Sequence, residues 1–275
     1  MTVLIVGGSG FLGNELVRQA SEAGHVTAAT FATRPGSAPR AAWRALDMRD
    51  AGRVEAVVAE TKPRVIINTT SGGPDWAVTA EGPVRLALAA ARYGCRLVHV
   101  SSDAVFSGSS VSYDESRLPD PVTPYGAAKA AAETGVGLVN PGAVIARTSL
   151  IIGDQRSEHV RTVHDLVSGR RDGVLFTDDV RCPVHVGDLA AALLELAASD
   201  ARGVRHLAGA DALSRHELGV LIARRDGLDA SRLKTGLRSE AGIPGGLDIR
   251  LDCRASQREL RTSLRGARQF LAEGT

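Results

Sequence analysis

A β-favouring apolar run, Thr2 to Val6, empties into Gly7, Gly8, Ser9, Gly10, Phe11, Leu12 and Gly13 before an amphipathic helical pattern begins. A strand, a glycine turn and a helix start in that order leave few folds open. Gly7 lets the chain turn tightly out of the strand, Gly10 lets a pyrophosphate approach the backbone, and Gly13 lets the helix pack close. The helix N-terminus adds unpaired N–H groups and the positive end of its dipole. Glycine turns also arise for structural reasons alone, but this position favours a dinucleotide site. The class it predicts is α/β, a Rossmann-type doubly wound parallel sheet.

The segments that follow fit that scheme. A helix from Phe11 to about Ala23 places Leu12, Leu16, Val17 and Ala20 on one face, Gly24 ends it, and His25 to Phe31 reads as the second strand. An acid after that strand would favour NAD; here Ala32 and Thr33 lead to Arg34 instead, so NADP(H) is the expected cofactor, with NAD(H) open. Trp43 to Leu46 is a short third strand, and Asp47 or Asp50 caps the next helix. Pro63 to Asn68 is an apolar strand of the kind covered on both faces, and Asn68, Thr69, Thr70 and Ser71 fall at its ligand-facing end. Trp76 to Tyr93 reads as one long helix, with Gly82 and Pro83 as an irregularity.

Arg96 to Ser101 makes the fifth strand and runs into Ser102, Asp103, Ala104, Val105 and Phe106. Thr123 then caps a helix with Pro124 at its first position, which puts Tyr125 and Lys129 one turn apart on one face. Such a pair suits carbonyl reduction. The tyrosine gives the proton if its pKa is pulled down, the lysine ammonium supplies the charge that does so, and a serine at the strand end orients the carbonyl. The predicted catalytic set is Ser102, Tyr125 and Lys129. Ser101 competes for the serine role, and strand alternation favours Ser102. The chain has three tyrosines and three lysines, at 62, 129 and 234, so a chance pairing at this spacing is improbable.

The spacing of Gly7, Gly10 and Gly13 resembles the GxxGxxG signature of extended short-chain dehydrogenases/reductases. The runs Val98 to Gly108, Tyr125 to Glu133, Arg147 to Ser149 and Arg181 to Ala190 are similar to the dTDP-4-dehydrorhamnose reductase branch of that superfamily. The resemblance implies cofactor contacts from Gly7, Gly10, Phe11, Leu12, Gly13, Arg34, Asp47, Met48, Asn68, Thr69, Thr70, Ser101, Tyr125, Lys129 and Thr148. It implies substrate contacts from Ser71, Asp103, Ala104 and Arg181. Relatives carry a tyrosine where this chain has Ala104, so the substrate pocket differs there. Related dehydratases place Asp then Glu after the active-site hydroxyl; Asp103 followed by Ala104 argues against dehydration.

Further along, Ala143 to Arg147 reads as a sixth strand, and residues from about Asp154 to Asp179 leave the sheet. Pro183 to Ser199 returns as a strand remnant and a helix, and Arg205 to Ala208 is the last strand. Ser214 and Glu217 have capping-box spacing. This divides the chain into a cofactor domain, 1–150 with about 182–208, and a small α+β substrate lobe, about 151–181 with 209–275. Arg181 and His185 could each serve a substrate phosphate or hydroxyl or an internal salt bridge. His159 and His164 lie in a helical stretch and are not assigned to substrate.

Composition narrows the partners. Thirty-three basic against 31 acidic side chains leave a formal charge of +2 with no basic block, which speaks against nucleic acid. No apolar run is long enough to span a bilayer and Met1 leads straight into a strand, so a cytoplasmic location is expected. Cys95, Cys182 and Cys253 lack metal-ligand spacing and read as reduced thiols; no metal is expected. A homodimer is left open. The expected function is NADP(H)-dependent reduction of a nucleotide-linked 4-keto sugar. The alternatives are a nucleotide-sugar epimerase, a reductase of a non-sugar ketone with the same triad, and a non-catalytic NADP-binding regulatory subunit.

Overall fold

The computed structural model describes residues 1–272. Seven strands form one parallel sheet: β1 (Thr2–Val6), β2 (Val26–Phe31), β3 (Ala42–Ala45), β4 (Val65–Asn68), β5 (Arg96–Ser102), β6 (Val144–Thr148) and β7 (Gly203–Leu207). Their order across the sheet is β7-β6-β5-β4-β1-β2-β3, with every neighbouring pair parallel. The chain therefore winds outward in both directions from a switch point between β1 and β4, where such sheets open a crevice at their carboxyl ends. The expected strands are all present, with ends displaced by one or two residues.

The longer helices are α1 (Phe11–Glu22), α2 (Ala51–Thr61), α3 (Gly82–Arg92), α4 (Pro124–Val139), α5 (Glu158–Ser168), α6 (Val186–Ala198) and α7 (Arg215–Arg225), and two short ones follow at Arg254–Glu259 and Ala267–Phe270. Strand alternation sorts the core into two layers. Val3, Ile5, Ile67 and Val98 pack with Leu16 of α1 and Leu189 and Leu193 of α6. Leu4, Val6, Ile66 and Leu97 face the other way, onto Val57 of α2, Leu86 of α3 and Val136 of α4. Burial on both faces is why these strands are continuous apolar runs.

A third cluster, from Ile152 to Leu271, joins Val160 and Val163 of α5 to Leu218 and Ile222 of α7, away from the sheet. A fourth, around Phe106, Tyr113 and Ile249, seats the loop that follows β5. That loop is held by a short pairing of Arg250–Leu251 with Ser112–Tyr113.

Local signals behave as read. Asp50, not Asp47, caps α2 through the Arg53 N–H at 2.9 Å, and Ser214 and Glu217 make the reciprocal capping box of α7. The stretch before α3 corrects the single-helix reading: Ala77–Glu81 is one π-helical turn that feeds into Gly82 and Pro83. Gly82 is needed there because a Cβ would stand 2.9 Å from that of Met48.

Candidate active site

The glycine turn at the end of β1 is as tight as its sequence requires. Gly7 has φ +82°, and a Cβ on Gly13 would lie 2.1 Å from the Gly7 carbonyl oxygen. Gly13 thus lets α1 close on the turn itself, while around Gly10 only the Gly7 oxygen comes near, at 3.3 Å from an added Cβ. Gly10 caps α1 without a side chain, and the first turn holds no acid. Its N–H groups and positive dipole end stay uncompensated by the protein, which fits an anion such as a pyrophosphate. The structure thereby meets the requirements of a dinucleotide.

Beside this turn lies a cleft of about 470 Å³, lined by Phe11, Leu12, Thr69, Ser71, Ser101, Ser102, Asp103, Tyr125, Lys129 and Thr148 from the expected set, and by His159. Thr123 caps α4 by accepting the Gly126 N–H at 3.0 Å, as its sequence predicts, and so fixes Tyr125 in the first turn. A Cβ on Gly126 would sit 2.1 Å from the Ala104 carbonyl oxygen. That close approach lets the turn after β5 dock on α4 and brings Ser102 to Tyr125.

Tyr125 lines the cleft together with Ser71 and Ser102. Ser102 donates to Asp103 at 3.2 Å and accepts the Ala104 N–H at 3.2 Å. Ser101 also lines the cleft, but its hydroxyl donates to buried Glu133 at 2.5 Å. Lys129 is 3% exposed and donates to the carbonyl oxygens of Val100, at 3.0 Å, and Thr70, at 3.4 Å. Burial lowers its pKa to about 8, with Glu133 acting in the opposite sense.

The tyrosine departs from the sequence reading. Burial raises the Tyr125 pKa above its ordinary value, the Ser71 and Ser102 hydroxyls oppose the rise, and Asp103 adds to it. The Lys129 ammonium donates to the two carbonyls and is not among the groups that shift Tyr125. Tyr125 consequently keeps its proton at neutral pH.

Several expected contacts are spent inside the protein. Asn68 is 1% exposed and bonded to His99 and Thr70. Met48 is buried in the layer under α2 and α3. Arg181 is buried against Asp179 at 2.8 Å and Asp103 at 3.7 Å, with further bonds to the Leu247 and Gly246 carbonyls. The requirement to satisfy buried polar groups explains Asn68 and Arg181, and apolar packing explains Met48. Thr69 and Thr148 line the cleft but bond main-chain oxygens of Val6 and Leu207. Thr70 bonds Asn68, and Ala104 contributes its N–H and carbonyl to the turn. Asp47 is exposed at the end of β3, bonded to Arg49, and Arg34 sits in the exposed loop after β2. His185 caps α6, and His164 pairs with Asp226 at 2.6 Å.

Sequence reasoning missed three contributors. Glu133 and Arg147 form a buried pair at 2.7 Å behind Ser101 and Lys129, with the Arg147 guanidinium 5.0 Å above the Phe106 ring. Trp43 packs on Gly36 and donates to the Ala38 carbonyl at 3.1 Å, anchoring the loop that carries Arg34. The spacing of Lys129 and Glu133, one helical turn, was the available signal for the first.

The pattern described as RmlD substrate binding domain matches residues 1–272. The chain belongs to that family. Relatives of this RmlD-family chain differ in what they are named for. Methionine adenosyltransferase 2 subunit beta of Xenopus laevis is 29% identical over 271 residues, covering 91% of this chain and 80% of that protein. The dTDP-4-dehydrorhamnose reductase of Mycobacterium tuberculosis is 31% identical over 249 residues, covering 84% and 78%. Among solved structures, dTDP-4-dehydrorhamnose reductase of Bacillus anthracis in complex with NADP has a TM-score of 0.85 and covers 99% of this chain and 98% of that one. At 22% identity this is a likeness of fold. No helix among the described residues is long and apolar enough to cross a membrane.

Proposed function

We propose that the chain is an NADP(H)-dependent reductase of a nucleotide-linked 4-keto sugar. The observation that carries this reading is the gathering of Tyr125, Ser71, Ser102 and Lys129 in one cleft, beside an α1 N-terminus with no side-chain cap. Phe11, Leu12 and Gly13 offer their N–H groups to the pyrophosphate, and Arg34 takes the 2′-phosphate. When bound, the nicotinamide supplies hydride to the substrate carbonyl carbon. Ser102 donates to the carbonyl oxygen and orients it, and Tyr125 gives that oxygen its proton. Lys129, buried one turn on, adds positive charge to the same region. The separate apolar cluster from Ile152 to Leu271 supports treating about 151–181 with 209–275 as the substrate lobe.

The test is NADPH oxidation by the purified chain against a panel of dTDP- and UDP-linked 4-keto sugars. Turnover that Tyr125→Phe abolishes supports the reductase; NADPH binding without turnover on any sugar counts against it. Fluorescence titration with NADPH and NADH checks the cofactor, and tighter NADH binding would remove the role given to Arg34.

A second reading, a regulatory subunit that binds the dinucleotide and acts on a partner enzyme, is favoured by one observation: the similarity to a protein named as a subunit. Turnover by the chain alone separates the two.

A further inference from the structure

A second cavity, of about 300 Å³, lies in the lobe between α5 and α7. Phe176, Leu218 and Ile222 form its apolar walls, and Arg215 and Arg238 stand at its polar end. It meets the catalytic cleft at His159, which lines both. Among the described residues no hydrogen bond or ion pair engages the His159 ring.

The surroundings are set up for an anion. Three guanidiniums converge on Asp179: Arg181 at 2.8 Å, Arg215 at 3.1 Å and Arg238 at 3.2 Å. Asp103, 3.7 Å from Arg181, is the second buried carboxylate, and Asp178 is occupied by the N–H groups of Arg238 and Ser239. Three cations thus share two buried carboxylates, and Arg238 Nε is buried with no hydrogen-bond partner. Arg215, with a quarter of its side chain exposed, is the most accessible of the three.

His159 is poised between these charges. Burial and the Arg215 cation lower its pKa to about 4, while Asp179 opposes them. Across the cleft it shares walls with Glu158 and Arg161 of its own helix, with Arg156, and with Asp103, Tyr125 and Lys129. The ring is neutral at pH 7, and neutralising Arg215 would remove one of the two forces that keep it so.

We propose that His159 is the specificity-determining contact where the two cavities join: it hydrogen-bonds the substrate there, and a phosphoester anion seated against Arg215 and Arg238 draws a proton onto its ring. The proposal rests on the nucleotide-sugar reading above. It implies linkage with a definite sign. Binding takes up a proton, so affinity for the anion rises as pH falls from neutrality toward the free imidazole's value.

The experiment is calorimetric titration of dTDP-glucose into the protein with NADP⁺ present, in two buffers of different ionisation enthalpy, between about pH 5 and pH 8. This probe lacks the 4-keto group, and its diphosphodiester does not titrate in that range. The expected result is uptake approaching one proton on the acid side, absent in His159→Gln, which binds NADP⁺ normally and dTDP-glucose about tenfold more weakly. Binding with no proton uptake, or uptake that persists in His159→Gln, overturns the proposal and leaves the reductase reading standing. No binding of dTDP-glucose to a protein that binds NADP⁺ overturns both.

Discussion

The two walls of the cleft are made of different material. On the proposed cofactor wall, the devices are mainly backbone: a glycine turn and a helix start with no side-chain cap. On the lobe wall they are long charged side chains, most of which are already paired, as Arg181 and Asp179 are. Backbone devices depend on residues near in sequence and are rigid once the sheet forms. Paired side chains depend on distant partners, and a ligand must compete with those partners for them.

Substitutions can break this contrast or sharpen it. The largest effect is expected from Tyr125→Phe, which removes the proposed proton donor while keeping the ring. Turnover should fall by about 10²–10⁴-fold. NADPH binding and melting temperature should stay unchanged, and a fall in either would assign Tyr125 a structural role.

Next is Glu133→Ala, which tests a charged side chain serving the backbone wall. It strands Arg147 at 3% side-chain exposure and should cost about 3–5 kcal/mol in denaturant unfolding. A loss under about 1 kcal/mol, typical of exposed pairs, would mean that the pair is not buried in solution.

The neighbouring serines give a finer test. Ser102→Ala should lower kcat about tenfold or more, since it removes the proposed donor to the reacting oxygen. Ser101→Ala should leave kcat unchanged and cost about 1–3 kcal/mol of stability through its bond to Glu133. Exchange of these two outcomes would reverse the assignment.

The smallest effect is a pH dependence. Lys129 has its pKa lowered to about 8, so its positive charge is lost as pH rises through that value. Reductase activity should decline across the same interval. A rate flat to pH 10 would show that the ammonium charge is not needed.

The contrast also explains what could be read from sequence. The turn at Gly7 to Gly13, the cap at Thr123 and the box at Ser214 and Glu217 are decided within a few residues, and each has a distinct signature. Arg181 was open to a phosphate or a salt bridge because its partners include Asp103 and the carbonyls of Gly246 and Leu247, which only the fold brings near. Met48 follows β3 and Asn68 ends β4, at the ligand-facing edge of the sheet, yet both side chains are buried in ways that the strand pattern alone does not assign. The Tyr125 pKa could not be signed from spacing, since Lys129 at one turn has carbonyl acceptors within reach as well as the tyrosine.

The pairing of Arg250–Leu251 with Ser112–Tyr113 ties the loop between β5 and α4 to nearly the last stretch of the chain. During synthesis, the glycine turn and its first strands emerge early and can assemble, while this loop has no anchor until residue 251 has cleared the ribosome. The glycine turn can therefore form on a growing chain before the loop that leads to Tyr125 is anchored. A chain cut short of residue 250 is expected to lose that anchor, together with Leu260 and Leu264 of the layer packed on α1 and α6.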